Sequence, residues 1–338
     1  MLRLPRFDVR EPRTVAEVVD LLAIHGDRAR LLAGGTDLVP NMKHEIETPE
    51  IVVSLGRVDA LRYVTDDGEN IRLGPLVTLE SLGSHAAMAQ LPSLVDAVTQ
   101  IAGPQLRAMG TIGGNVCLDT RCVYINQTYF WRQALGFCLK KDGTVCHVVA
   151  GGKRCVAAAS NDSAPVLMTL GAKLELVSSA GERTIPIDEF YVGNGLMNQD
   201  RSRAELLTEI VIPKPRPGTI AAYTKLRTRA AIDFPELGVA VMARIDDARH
   251  IQALDVCLTA LGARPVHVGK LDTFVGRVLD ASTIAAIGAV AYERTKPLTN
   301  IATDPDYRRE MVPVYVRRAF ELALSRRPTS SASVVHLA

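Results

Sequence analysis

Four cysteines fall within one stretch of the chain that has no regular hydrophobic pattern. They are Cys122, Cys138, Cys146 and Cys155, with 15, 7 and 8 residues between them. Four thiolates can hold a zinc ion or an iron–sulfur cluster, because both accept four sulfur ligands. The intervals contain no Cys-x-x-Cys pair of the kind common at zinc sites. The residues therefore favour a [4Fe–4S] cluster, while zinc and free thiols stay open.

The same stretch is rich in aromatic residues and contains the only tryptophan of the chain. These residues are Tyr124, Tyr129, Phe130, Trp131 and Phe137. Rings around a cluster would exclude water and so tune its reduction potential, and we expect that role here. His147, beside Cys146, could replace a ligand, although a lone loop histidine is more often solvated. Cys117 and Cys257 lie outside the stretch and are interpreted as structural.

Two glycine turns carry the equipment for binding an anion. LLAGGTDL contains Gly34, Gly35 and Thr36, and GTIGGN offers Thr111, Gly113, Gly114 and Asn115. Glycines allow a phosphate to approach the backbone, and N–H groups at a helix start favour negative charge. Neither turn fits the Rossmann or P-loop pattern, so those nucleotide folds are disfavoured.

Mixed helix and strand patterns surround these candidate sites. Thr14 and Glu17 form a capping box that predicts a helix over about 14–25, and strands are predicted on both sides of the first glycine turn. A helix at 164–172 and a strand at 173–179 follow the cysteine stretch, and the Pro-rich segment 212–218 is typical of a linker. Three strands and two helices, near 281–294 and 307–325, are predicted beyond it. The patterns predict α+β structure.

Length and composition limit the possible functions. The chain has 338 residues, 47% of them hydrophobic and 22% charged, and a net charge of +2. Such a chain divides into two or three domains and presents no nucleic-acid or membrane footprint. The first residues lack the apolar run of a signal peptide, and nowhere do 18 apolar residues run together. We therefore expect a cytoplasmic protein, in which clustered cysteines favour metal or redox chemistry over disulfides.

Several motifs occur in a fixed order over about residues 5–325. They are LLAGGTDL, GTIGGNV, NDSAPVLMTLGA, DEFYVGNG, ELLTEIVIP and YTKLRTRAAIDFPELGVAV. In this order they resemble the medium, FAD-binding subunit of the xanthine dehydrogenase (molybdenum hydroxylase) family. The resemblance implies a two-lobed FAD domain of the vanillyl-alcohol-oxidase (PCMH) type, followed by a smaller α+β domain like that of CO-dehydrogenase flavoproteins. The expected parts are lobe 1 at 1–58, lobe 2 at 59–215, the C-terminal domain at 216–325 and a tail at 326–338.

The resemblance also implies which residues hold FAD. The first turn would hold the pyrophosphate from one side, with Leu31, Leu32, Ala33, Gly34, Gly35, Thr36, Asp37 and Leu38, and the second from the other, with Thr111, Gly113, Gly114 and Asn115. Ile101 matches an apolar residue against the flavin. Asp162 matches an aspartate at the adenosine half, and Lys225 a lysine near the isoalloxazine ring. The alternatives are a mere helix cap for Asp162 and a solvated Lys225.

The cysteine stretch departs from the usual family pattern, in which the second turn runs almost directly into the helix after Asp162. Here 46 residues separate Asn115 and Asp162, and the excess forms an insertion at about 118–158. One member of the family carries a cluster-bearing insertion of this kind. That likeness implies a [4Fe–4S] cluster held by the four inserted cysteines, with electrons running inward from reduced ferredoxin to FAD.

The family resemblance places the substrate chemistry on other chains. This sequence has no G-x-S-x-G or H-E-x-x-H motif and no [2Fe–2S] ferredoxin pattern, so no catalytic residue is predicted. The implied partners are a molybdopterin-containing large subunit and a small subunit with two [2Fe–2S] clusters, assembled as a dimer of heterotrimers. Two alternatives are an NAD-linked flavin subunit of an ordinary molybdenum hydroxylase and a zinc-braced scaffold without flavin.

Overall fold

The computed structural model describes residues 2–327. Of the predicted tail at 326–338, all but the first two residues lie outside the described part. Within the described part, the chain forms three sheets, each with its own helices, so the predicted α+β class is confirmed. None of the helices in residues 2–327 is both long and apolar enough to cross a membrane.

The N-terminal sheet is parallel and has the strand order β1-β3-β2. Its elements are β1 (Asp8–Arg10), α1 (Val15–His25), β2 (Ala29–Leu32), α2 (Leu38–Lys43) and β3 (Ile51–Ser54). The threonine half of the predicted capping box is confirmed, because Thr14 Oγ1 accepts from the Glu17 N–H at 3.2 Å. The Glu17 carboxylate reaches back as predicted but accepts from the Arg13 N–H at 2.7 Å, one residue before the cap. The cap fixes where α1 begins. With this start, Val18 and Leu22 lie on the face of the helix that is buried in the core.

The middle sheet is antiparallel, with the strand order β4-β5-β8-β6-β7. Its strands are β4 (Val64–Asp66), β5 (Asn70–Leu73), β6 (Lys173–Ser178), β7 (Gly181–Pro186) and β8 (Leu206–Pro213). Its helices are α3 (Leu79–Ser84), α4 (Pro92–Thr99), α5 (Pro104–Met109), α6 (Ile112–Val116), α7 (Tyr129–Ala134), α8 (Ser163–Thr169) and α9 (Ile187–Phe190). The predicted linker is partly wrong, because β8 continues to Pro213 and the Lys214 N–H donates to Glu69 O at 2.9 Å.

The C-terminal sheet is antiparallel with the order β12-β11-β10-β9, and two helices cover one of its faces. Its elements are β9 (Thr219–Leu226), β10 (Leu237–Ile245), β11 (Ile251–Thr259), β12 (Val266–His267), α10 (Ala281–Glu293) and α11 (Pro305–Ser325). The three strands and two helices predicted here are confirmed. The other face of the sheet meets α8, where Cys257 Sγ lies 3.8 Å from Met168 Sδ in the main core. Cys257 is a fully buried strand residue, as predicted.

Candidate cofactor sites

The two glycine turns lie against each other. A Cβ atom on Gly34 would overlap the carbonyl oxygen of Met109, and one on Gly110 would lie 3.4 Å from the Thr36 hydroxyl. Gly35 has φ +72°, a conformation that side chains disfavour. Gly34 is therefore required by the packing of one turn on the other rather than directly by a bound phosphate, and this packing brings the two candidate anion sites to one place.

The second turn leads into α6 and is joined from there to the Asp162 helix. Thr111 Oγ1 caps α6 by accepting from the Gly114 N–H at 3.1 Å, while Gly114 itself is exposed. The Asn115 amide oxygen accepts from the Ser163 hydroxyl at 2.6 Å and from its N–H at 3.2 Å. Asn115 thus fixes α8 against the turn, and the exposed Gly114 backbone stays accessible to a ligand.

Asp162 and Lys225 form a buried ion pair. Lys225 Nζ lies 3.1 Å from the carboxylate, and the two side chains are 0% and 2% exposed. The Tyr223 hydroxyl donates to the same carboxylate at 2.7 Å, and Lys225 also donates to Gln100 O at 3.1 Å. Asp162 makes no side-chain cap to α8, so both alternatives, a helix cap and a solvated lysine, are wrong.

Pairing changes how these two residues are interpreted. The sequence assigned Asp162 to the adenosine half of FAD and Lys225 to the isoalloxazine ring, but the two groups act as one unit. Burial raises the pKa of Asp162 and lowers the pKa of Lys225, and their mutual attraction opposes both shifts. The two residues therefore belong to one buried unit rather than to two separate sites.

Ile101 belongs to a segment that joins the glycine turns to the C-terminal domain. Its side chain is partly buried against the main core, and the next residue, Ala102, has φ 47°. Ala102 O accepts from the Ile232 N–H at 2.9 Å, and Ile232 itself is exposed with φ 75°. Positive φ at a β-branched residue is a strained conformation of the kind found at ligand sites. The loop at 228–235, which lies within a quoted motif but received no role there, therefore lies against the predicted flavin segment.

The four inserted cysteines line one cavity. Cys138, Cys146 and Cys155 are at most 9% exposed, and Cys122 is partly exposed. The enclosed cavity between them is small, about 20 Å³, and opens toward solvent. Within residues 2–327, no three His, Cys, Asp or Glu side chains lie close enough together to hold a single metal ion. The cysteines therefore face a common space rather than converge on one point.

The aromatic residues do not enclose this cavity as predicted. Of the five rings, only Tyr124 lines it, and the other apolar walls are aliphatic, from Ile125, Leu139, Val148 and Val156. Phe130 is 79% exposed on α7, because that short helix lies on the outside of the insertion. His147 does line the cavity, but its Nε2 lies 2.6 Å from Phe137 O and is engaged in that hydrogen bond.

A lysine ammonium group lies beside the cavity. Lys140 is 7% exposed and donates to Asp119 at 2.9 Å, to the Thr120 hydroxyl at 2.8 Å and to Gly195 O at 2.5 Å. Burial raises the pKa of Cys122 to about 11 and also raises the pKa of Cys155, although Lys140 opposes the rise at Cys155. Binding of a metal at Cys122 and Cys155 would therefore have to displace their protons.

Arg121 connects the insertion to the glycine turns. Its Nη1 donates to Asp37 Oδ1 at 2.9 Å, and its guanidinium carbon lies 3.9 Å above the Phe234 ring. The sequence analysis gave no role to Arg121, Phe234, Lys140 or Gly195. Arg121 and Lys140 stand next to or near inserted cysteines, and Phe234 and Gly195 lie within quoted motifs, but the partners that define their roles lie far away in the chain.

The fold and these two sites define a class of protein, a two-part flavin-binding chain with an added cysteine cavity. Residues 5–215 match the FAD binding domain in molybdopterin dehydrogenase, and residues 221–323 match the CO dehydrogenase flavoprotein C-terminal domain. The carbon monoxide dehydrogenase medium chain of Afipia carboxidovorans is 30% identical over 95% of this chain and 97% of its own. The nicotinate dehydrogenase FAD-subunit of Eubacterium barkeri is 24% identical over 93% and 95%.

Solved structures agree with these sequence relatives. Carbon monoxide dehydrogenase from Hydrogenophaga pseudoflava superposes with a TM-score of 0.79 at 26% identity, covering 96% of this chain and 99% of that one. Quinoline 2-oxidoreductase from Pseudomonas putida 86 shares the fold, with a TM-score of 0.76 at 23% identity and coverage of 96% and 98%.

The chain belongs to the family of FAD-binding medium subunits of the xanthine and carbon monoxide dehydrogenases, the molybdenum hydroxylases. It is an oxidoreductase subunit that binds FAD, and the predicted two-lobed FAD domain with its C-terminal α+β domain is confirmed. Membership of this family also rules out the alternative of a scaffold without flavin.

Proposed function

We propose that this chain is the FAD and [4Fe–4S] electron-transfer subunit of a molybdenum-containing complex, and that the complex is a 4-hydroxybenzoyl-CoA reductase. Such an enzyme removes the phenolic hydroxyl of 4-hydroxybenzoyl-CoA to give benzoyl-CoA in anaerobic aromatic degradation, with reduced ferredoxin as donor. The observation that carries the proposal is the common cavity of Cys122, Cys138, Cys146 and Cys155 in a chain of this family.

The spacing of the cysteines favours a cluster over zinc. With Zn–S bonds of about 2.3 Å, tetrahedral zinc needs its four sulfurs about 3.8 Å apart. The described residues contain no set of ligands that tight, although the four cysteines line one cavity. A [4Fe–4S] cluster takes one thiolate per iron, so its four thiolates lie further apart than those around a single zinc ion. The aliphatic walls would limit its contact with water and so help to set its potential.

The charge beside the cavity suits a metal-thiolate centre. A cluster core of charge +2 bound by four thiolates carries a net charge of −2, and the ammonium of Lys140 is nearly buried beside it. Asp119 pairs with this ammonium at 2.9 Å, and a cluster would add a second negative charge on its other side. Lys140 also donates to Gly195 O, and a Cβ on Gly195 would lie 2.8 Å from Cys155 Sγ, so the loop at 193–199 helps to close the cavity.

The FAD assignment rests on the meeting of the two glycine turns. In this proposal the pyrophosphate lies between the turn at 31–38 and the exposed Gly114 backbone. Ile101 contacts the rest of the nucleotide, and the Asp162–Lys225 pair, whose side chains are 2% and 0% exposed, supports the site from within the core. FAD supplies the exchange between one-electron and two-electron carriers. The residues of this chain bind it, orient it and hold a fixed positive charge at Lys225.

The partners follow from the same proposal. The molybdenum site lies on a large subunit and two [2Fe–2S] clusters on a small subunit, in a cytoplasmic dimer of heterotrimers. This chain contributes lobe 1 at 1–58, lobe 2 at 59–215 with the insertion at 118–158, and the C-terminal domain at 216–325. Its relatives include carbon monoxide and nicotinate dehydrogenases, so an FAD subunit of an NAD-linked hydroxylase is the competing proposal.

Cofactor analysis of the anaerobically purified protein tests the metal centre. We expect flavin bands above a broad iron–sulfur shoulder, with four irons and four sulfides per chain and no stoichiometric zinc. Cys138→Ser is expected to lose most of the iron while keeping FAD. Cys117→Ser is the matched control, because Cys117 does not line the cavity, and it should keep both cofactors.

Two results would contradict this assignment. Stoichiometric zinc would replace the cluster by a structural metal, and flavin without metal would leave the cysteines as thiols. Either result keeps the family and removes the reason for naming the reductase. The reaction itself is tested with the assembled complex: reduced ferredoxin should support conversion of 4-hydroxybenzoyl-CoA to benzoyl-CoA. Reduction of the complex by NADH, without dehydroxylation, would instead support the NAD-linked hydroxylase.

A further inference from the structure

Arg121 lies at the neck of the insertion, where the inserted chain leaves and rejoins the second part of the molecule. Its N–H donates to Ala158 O at 2.8 Å, and its carbonyl accepts from the Ala158 N–H at 2.7 Å. The next residue, Cys122, lines the cysteine cavity. This pair of backbone hydrogen bonds fixes Arg121 relative to the cavity without using its side chain.

The side chain of Arg121 points toward the flavin site. It pairs with Asp37, in the first glycine turn, and stacks on Phe234, in the loop at 228–235. That loop is hydrogen-bonded to Ala102, next to Ile101. One guanidinium therefore contacts two separate parts of the chain that border the predicted FAD site.

The ion pair lies in a partly water-excluded place, which strengthens it, whereas the Phe234 ring is 42% exposed. The Arg121 side chain is 24% exposed, and that of Asp37 is 35% exposed. Asp37 is held from its other side by the Asn41 amide, which donates to its second carboxylate oxygen at 2.9 Å. The rigid, planar guanidinium makes both a charge-assisted hydrogen bond and a cation–π contact. Together they fix the orientation of the Arg121 side chain as well as its distance from Asp37 and Phe234.

We propose that Arg121 is the positioning residue that couples the cysteine cavity to the flavin site. This inference rests on the proposed cluster and FAD assignments. A filled cavity orders the neck and holds Arg121 against Asp37 and Phe234, which strengthens FAD binding. By thermodynamic reciprocity, bound FAD stabilises the cluster to the same extent. The link also keeps the two redox centres at a constant separation.

The test is a thermodynamic cycle on FAD binding to the assembled complex. The FAD dissociation constant is measured for complexes with a loaded cavity and with the cavity emptied by Cys138→Ser, each with Arg121 and with Arg121→Met. With Arg121, emptying the cavity should weaken FAD binding about tenfold, within the range usual for coupled sites. With methionine at position 121, emptying it should change the constant less than about twofold. Arg317→Met, which removes an exposed pair with Glu321 on α11, is the matched control and should leave the coupling at tenfold.

Iron release gives a second readout that does not depend on activity. FAD should slow the loss of iron to a chelator in the Arg121 protein and have no such effect in Arg121→Met. Arg121→Lys keeps the charge and Phe234→Leu keeps the ion pair, so each should retain part of the coupling. These two variants serve as the test if the methionine variant does not fold.

The outcomes separate this inference from the proposed function. Equal coupling with arginine and methionine, or no coupling in the Arg121 protein, would overturn the role of Arg121 while leaving a cluster-bearing flavin subunit in place. A wild-type protein that contains FAD but no iron would overturn both. Coupling that is lost with Arg121→Met, reduced with Arg121→Lys and Phe234→Leu, and kept with Arg317→Met supports the inference.

Discussion

Removal of the positive charge of Lys225 should make the stability of this protein depend strongly on pH. Its ammonium lies 3.1 Å from the Asp162 carboxylate, and both side chains are almost fully buried. In Lys225→Met the carboxyl group keeps the hydrogen bond from the Tyr223 hydroxyl and loses its cation. Breaking a buried ion pair from one side costs about 3–5 kcal/mol, because the remaining charge is buried alone.

The sign of the pH effect follows from the pKa of Asp162. Burial already raises this pKa, and the attraction of Lys225 opposes the rise. In the variant the folded-state pKa rises further, whereas the unfolded chain keeps a value of about 3.9. At a pH between these two pKa values, the folded protein binds more protons than the unfolded chain. The free energy of unfolding therefore falls by about 1.4 kcal/mol per pH unit as the pH rises, and levels off above the folded-state pKa.

Urea unfolding followed by circular dichroism from pH 5 to pH 8 measures this slope. Lys225→Met should be destabilised increasingly as the pH rises. The double variant with Asp162→Asn, which has no carboxyl group at this position, should lose the slope and recover part of the stability. A constant difference between Lys225→Met and wild type across this range would refute the reasoning. A double variant whose loss of unfolding free energy equals the sum of the losses in the two single variants would also refute it, because the effects of interacting residues are not additive.

Three further predictions concern packing and charge. Gly34→Ala should destabilise the chain by about 1–3 kcal/mol in urea and weaken FAD retention, because the new Cβ overlaps the carbonyl oxygen of the facing turn; a variant as stable as wild type would contradict that packing. Gly195→Ala should lower the iron-to-FAD ratio, because the new Cβ would lie 2.8 Å from Cys155 Sγ. Gly193→Ala is the control and should keep the ratio, because no atom lies closer than 4.0 Å to its Cβ. Equal ratios in the two variants would place the loop outside the cavity wall. Two hydrogen-bonded aspartates raise the pKa of His267 to about 10. The stability lost in His267→Gln should therefore be greatest below pH 6.5 and shrink as the pH rises toward 10. Thermal unfolding measures this loss, and a loss independent of pH would mean that the histidine is not charged.

The sequence predicted features that depend on neighbouring residues. Thr14 and Glu17 define the start of α1 because a capping box is made within four residues. The strands β9, β10 and β11 follow from continuous apolar runs, which suit strands buried in a sheet. The ordered motifs gave the family, and the four inserted cysteines gave the candidate metal site. Each of these signals can be detected without knowing which distant segments meet.

Other features could not be predicted from the sequence, because they depend on contacts between distant segments. Asp37 and Arg121 are 84 residues apart, and Asp162 and Lys225 are 63 apart, yet both are direct ion pairs. The exposed position of Phe130 likewise depends on what the fold packs against α7, since an aromatic residue in a sequence does not specify its own burial. The sequence by itself determined the family, most of the elements and the grouping of the four inserted cysteines. Only the tertiary structure decided which charges pair and which walls close the cavity, because a charge or a ring is stabilised by the groups that the fold brings within a few ångströms of it.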